Sequence, residues 1–153
     1  MKIATHVYDE LVGSCPSVPP ETGGILGGRE DTITAYEFDT IGANCLENSY
    51  RPDVGHLNTR IRDWAASEVE FLGVFHSHPP GERGLSMPDK GYIWQIMTAM
   101  PTRISRLYFP LVFPTCDLVA YVATRYRRKV RIGEDVVTLS EIDITESNGR
   151  KRR

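Results

Sequence analysis

His76 and His78 stand one residue apart, and Ser86 and Asp89 follow in the same short stretch. Alternate side chains of an extended segment project to one face, so imidazoles at this spacing can share one cation. Zinc takes imidazole and carboxylate ligands, and two histidines with Asp89 would make three protein ligands. The fourth position is then left for water, which separates a catalytic zinc from a structural one. A bare His-x-His is a weak signal. The whole pattern arises by chance in about 10⁻⁴ to 10⁻³ of chains of this length, given ordinary residue frequencies. A second reading stands beside the first. Ser86-Met87-Pro88-Asp89 also fits an N-terminal capping box, in which the helix dipole stabilises an acid in the first turn. Glu82, inside the stretch, reads as a loop residue.

These residues need a strand before them and a helix after them. Phe71-Leu72-Gly73-Val74-Phe75 is a continuous apolar run ending at His76, as in a strand covered on both faces. Residues 88–100 have helical spacing, with a buried stripe of Ile93, Ile96, Met97 and Met100. Asp89 shares that stripe's face, where a carboxylate is costly unless paired or bound to a metal.

The rest of the chain supplies a scaffold. A helix is expected over 6–15, with Thr5 as N-cap and Tyr8, Leu11, Val12 and Cys15 on one face. Strands are expected over 22–29 and 32–40, and glycines in the first of these mark a close approach of another backbone or a ligand. Residues 42–56 read as an irregular loop containing His56, taken as a loop histidine rather than a ligand. The clearest amphipathic helix covers 57–70, with Trp64 on its core face. Further strands are expected over 107–113, 118–126 and 130–139. The sum is a single α/β domain over residues 1–146, a mixed, mainly antiparallel sheet of about six strands flanked by about three helices. The basic end, 147–153, has no core to join and is expected to be a flexible tail.

Composition narrows the function classes. With 153 residues and a net charge of −2, the chain suits one globular domain and argues against a dedicated nucleic-acid binder. The basic run Arg125 to Arg131 and the tail Arg150 to Arg153 are the only support for nucleic acid, and the run reads as a solvated hairpin. Cys15, Cys45 and Cys116 are an odd set at irregular spacing, read as buried small residues rather than a disulfide framework. The start lacks an apolar signal core and no apolar run reaches membrane-spanning length, so a cytoplasmic protein without membrane partners is expected.

His76-Ser77-His78, Ser86 and Asp89 together resemble the signature of the JAMM (MPN-plus) zinc metalloproteases. Glu21-Thr22-Gly23-Gly24-Ile25-Leu26-Gly27 is similar to that family's glutamate-bearing first strand, and the likeness spans about residues 5 to 140. The resemblance implies the MPN fold, which is like that of cytidine deaminases. It also implies one zinc ion held by His76, His78 and Asp89, with water as fourth ligand. Glu21 would be the general base acting through that water, and Ser86 would hydrogen-bond the oxyanion. Without the resemblance Glu21 is one acid among many, a solvated turn residue after Pro20. The implied reaction is hydrolysis of a peptide or isopeptide bond at the C-terminal tail of a ubiquitin-like or sulfur-carrier-like protein, as in compact prokaryotic members. Two other roles stay open: a non-catalytic scaffold, as in fold relatives with a broken motif, and a nucleic-acid-associated protein.

Overall fold

A computed structural model describes residues 1–16, 18, 20–40 and 50–142. The elements run β1 (Lys2–Ala4), α1 (Thr5–Ser14), β2 (Gly23–Arg29), β3 (Thr32–Phe38), α2 (Val54–Ala66), β4 (Glu70–Ser77), α3 (Met87–Ala99), β5 (Arg106–Tyr108), β6 (Leu111–Phe113), β7 (Asp117–Tyr126), β8 (Lys129–Asp135) and β9 (Thr138–Ser140). They form one mixed sheet in the order β5-β7-β6-β4-β2-β3-β1-β9, with β8 paired to β7.

The sheet is covered on both faces. Leu26 and Phe75 face one side, and a bulge in β4 at the Leu26/Gly27 register shift brings Leu72 to the same side, where α1 packs with Val7, Leu11 and Val12. Ile25 and Val74 face the other side, against Leu57 and Trp64 of α2 and Ile93 and Met97 of α3. β4 lies at the centre, antiparallel to β2 and parallel to β5 and β6. Its apolar run therefore needs no polar alternation. His76 falls on the face of Val74, beneath α3.

The α/β class, the mixed sheet and the three helices agree with the sequence reading. The sheet has nine strands among the described residues, not about six. β1 was not expected: three residues are too few to show a period, and the strand exists because it pairs with both β3 and β9. The single strand expected over 107–113 is two, divided around Pro110, and both align with β7. The one expected over 130–139 is also two, and its second half leaves β7 to pair with β1.

Helix limits moved for local reasons. α2 begins at Val54 inside the expected loop, because the Asp53 side chain accepts from the His56 amide at 2.8 Å. It stops at Ala66, before the expected end at 70, where Glu68 takes φ 58° and the chain turns into β4. Thr5 is not the N-cap of α1; that position is Ala4, which offers no side-chain bond. Cys15 is buried as expected, but Cys116 is exposed. Cys45, most of the 42–56 loop and the tail 147–153 lie outside the described residues. Among the described residues no helix is long and apolar enough to cross a membrane.

Candidate metal centre

Strand register brings the centre together. β2 runs antiparallel to β4 with Gly23 opposite His76. Extending that register by two residues places Glu21 beside His78. The join is held by the Ser77 amide donating to the Thr22 carbonyl at 2.7 Å and the Thr22 amide donating to the Ser77 hydroxyl at 2.8 Å. On the other side the His78 amide donates to the carbonyl of Val112 in β6 at 3.0 Å. The His-x-His segment is thus gripped from both neighbouring strands.

The two imidazoles meet edge to face, with their Nε2 atoms 3.1 Å apart. Asp89 Oδ1 is 3.3 Å from His76 Nε2, and Asp89 Oδ2 is 3.5 Å from His78 Nε2. Glu21 Oε1 is 3.9 Å from His78 Nε2, while Glu21 Oε2 accepts from the Tyr50 amide at 3.2 Å. One ligand atom each from Glu21, His76 and His78 lie within 4.8 Å of one another. His78 is 3% exposed, and the others are largely covered.

The capping reading of Asp89 holds, and the same carboxylate faces the two histidines. Ser86 is the N-cap of α3, and its hydroxyl accepts from the Asp89 amide at 3.2 Å. Asp89 Oδ2 in return accepts from the Ser86 amide and the Ser86 hydroxyl, both at 2.7 Å. The cap fixes the carboxylate and leaves Oδ1 turned toward His76.

Electrostatics match this grouping. Burial opposes ionisation of Asp89, but the adjacent His76 and His78, when charged, and the Ser86 hydroxyl outweigh it and hold the carboxyl far below the usual carboxylate range. Burial likewise opposes charge on His78, but Asp89 and the Glu82 carbonyl raise its pKa on balance. His78 Nδ1 lies 2.8 Å from the Glu82 carbonyl oxygen, which can only accept. The proton of neutral His78 therefore sits on Nδ1, and its Nε2 presents a lone pair to the centre. That lone pair, a second imidazole nitrogen and two nearby carboxylates are the donor set zinc favours, so the residues present fit a zinc ion.

Two features were invisible in sequence. Asp39, 2% exposed, accepts from the Tyr50 hydroxyl at 3.0 Å and the Asp53 amide at 2.6 Å. It thereby pins the segment whose Tyr50 amide holds Glu21. Burial first, then Asp39, pushes the Tyr50 phenol far above its ordinary value, so it stays a donor. Tyr50 packs where only glycine leaves room, since a Cβ on Gly23 would lie 2.6 Å from its ring. A carbonyl, as at Glu82, or an amide, as at Tyr50, leaves no residue-type signal. Asp39 could have been suspected only as an acid at the end of a strand.

The centre opens into a cleft of about 650 Å³, walled by Tyr50, Arg51, Pro52, Tyr92 and Phe109. An apolar groove of about 340 Å³ between α2 and α3 adjoins it, sharing Pro52, Val54, Val74 and Tyr92. Arg125 of the basic run donates to the carbonyls of Met100, Pro101 and Ile104. Arg127 lies over the Tyr126 ring at 5.3 Å.

Comparison with known proteins agrees with this architecture. The profile of Prok-JAB, described as prokaryotic homologs of the JAB domain, matches residues 5–131. The chain belongs to this family, as a compact prokaryotic member of the JAB/MPN group. Among solved structures it is similar to a protein from Desulfitobacterium hafniense, with TM-score 0.63, 21% identity and 93% and 94% of the two chains covered. A protein from Salinibacter ruber aligns with TM-score 0.50, 17% identity and 92% of each chain. A JAB1/MPN domain protein from Archaeoglobus fulgidus aligns with TM-score 0.47, 15% identity and 92% and 100% coverage. A sequence search of curated proteins finds no match.

Proposed function

We propose that this protein is a zinc-dependent peptidase or isopeptidase acting at the C-terminal tail of a ubiquitin-like or sulfur-carrier-like protein. One observation carries the reading: Glu21, brought in by β2, faces the His76–His78–Asp89 group, with one carboxylate oxygen held by Tyr50 and the other directed at His78. A structural zinc site would have no use for an extra, restrained carboxylate at its edge.

His76, His78 and Asp89 would hold the ion. Bound zinc lowers the pKa of a water to about 7 and polarises a scissile carbonyl. Glu21 takes a proton through Oε1 and returns it to the leaving amine, while the Tyr50 amide keeps Oε2 in place. Ser86 supplies a hydroxyl for the developing oxyanion. Its release from Asp89 leaves Oδ2 still paired with the Ser86 amide. The apolar groove running into the cleft suits an extended polypeptide better than a small polar metabolite.

The test is a cleavage panel of ubiquitin-like proteins fused through their C-terminal glycines, run with and without a chelator. Chelator-sensitive cleavage of at least one fusion is expected. Chelator-insensitive cleavage rules out the zinc mechanism, and no cleavage across a broad panel rules the reading out in favour of a scaffold.

A further inference from the structure

We propose that Arg83 and Asp117 are positioning residues for the metal centre: their ion pair holds the 79–85 loop so that the Glu82 carbonyl keeps His78 in its Nδ1–H tautomer. This rests on the metal-centre reading above.

The loop has little packing of its own. Residues 80–84 are exposed, and a Cβ on Gly81 or Gly84 would meet nothing within 4 Å. Leu85 is buried at the far end, and the Glu82 amide closes a turn onto the Pro79 carbonyl at 3.0 Å. Neither contact fixes where the Glu82 carbonyl points. Arg83 does so from the next position.

Its guanidinium donates through Nη1 and Nη2 to the two oxygens of Asp117, at 3.1 and 2.8 Å. It also lies 4.4 Å from the centre of the Phe113 ring. Phe113 and Asp117 are cross-strand partners in the β6–β7 hairpin, so one rigid pair offers both the ring and the carboxylate. The Tyr121 hydroxyl, from the same hairpin, donates to the Arg83 carbonyl at 3.1 Å. That hairpin also accepts the His78 amide, through Val112. The backbone of His78 and the loop that orients its ring are thus referred to one element.

The chemistry follows from the imidazole. A neutral ring has one N–H, and a carbonyl partner at Nδ1 forces it there, leaving the lone pair on Nε2. Losing such an outer partner typically costs ten- to a hundredfold in metal affinity. The partner here is a main-chain carbonyl that no substitution deletes, so the sequence controls it through Arg83 and Asp117.

The test uses Arg83→Ala, Arg83→Lys and Asp117→Asn in the full chain. Zinc affinity is measured by chelator competition, and the His78 tautomer by imidazole nitrogen NMR of the metal-free protein. Arg83→Ala should weaken zinc by about tenfold and turn a single Nδ1–H pattern into a mixture. Combined with Asp117→Asn it should be no weaker, because one interaction is removed twice. Arg83→Lys keeps a cation without the two-point fork and should fall between; it carries both readouts should Arg83→Ala not fold. Wild-type affinity and tautomer in these variants would overturn the proposal. If the wild type takes up no zinc the peptidase reading falls, yet the metal-free tautomer still decides the role of Arg83.

Discussion

The Ser86 hydroxyl donates to Asp89 Oδ2 at 2.7 Å, and the Asp89 amide donates back to the same hydroxyl at 3.2 Å. The carboxylate that faces the two histidines is therefore also half of a helix cap. Removal of Ser86 should act on stability and on the centre together. Ser86→Ala is expected to cost about 1 kcal/mol of stability from the cap. It should also lower turnover and loosen zinc, whereas Ser86→Thr keeps the cap. Urea melts and chelator competition on the same preparations check this. Unaltered zinc affinity in Ser86→Ala would mean that the cap does not orient Asp89.

Glu21→Ala should retain zinc and lose cleavage by about 10²- to 10⁴-fold, the usual contribution of a general base. Bound zinc is read by elemental analysis and cleavage on the fusion that the wild type cuts. Near-normal turnover with zinc bound would remove Glu21 from the chemistry.

His76→Ala and Asp89→Ala should both abolish tight zinc binding, but they should differ in the metal-free state. Asp89→Ala also loses the capping box and should unfold earlier in urea, by about 1 kcal/mol. His76→Ala vacates no cap. Equal metal-free stabilities would contradict the double role of Asp89.

Gly73 sits where β4 passes β5, and a Cβ there would lie 1.8 Å from the Tyr108 carbonyl oxygen. The obstacle is backbone and cannot swing away. Gly73→Ala should therefore force β4 and β5 apart and destabilise the fold by about 3 kcal/mol. Because β4 carries His76, zinc affinity should fall as well. A melt within error of the wild type would show that the sheet absorbs the extra carbon.

The Arg83 pair has a pH signature. Hydrogen bonding from Arg83, against a smaller opposing effect of burial, holds the Asp117 carboxyl below its ordinary value. A depressed folded-state pKa contributes stability that is complete above the unfolded value of about 3.9 and is lost as pH falls through the folded value. The Tm difference between wild type and Asp117→Asn should therefore be largest above about pH 5 and shrink toward about pH 3. A difference that stays constant over that range would separate Asp117 stability from its ionisation.

The sequence by itself determined the residue types and the local frames. His76, His78, Ser86 and Asp89 lie within one strand–loop–helix unit, so period two along the strand and period 3.6 along the helix suffice to turn them toward a common space. Apolar runs likewise marked the central strand and the core faces of the helices. Tertiary structure alone decided what comes from a distance. Glu21 reaches His78 through the register of β2 on β4, and register depends on pairing across the sheet. Short strands such as β1 exist only because two partners satisfy their main-chain groups, which no local pattern records. The Glu82 carbonyl and the Tyr50 amide orient His78 and Glu21, and every residue type has those groups. Their direction is set through Arg83 and the Tyr50 side chain, whose partners Asp117 and Asp39 reach them only once the sheet has formed.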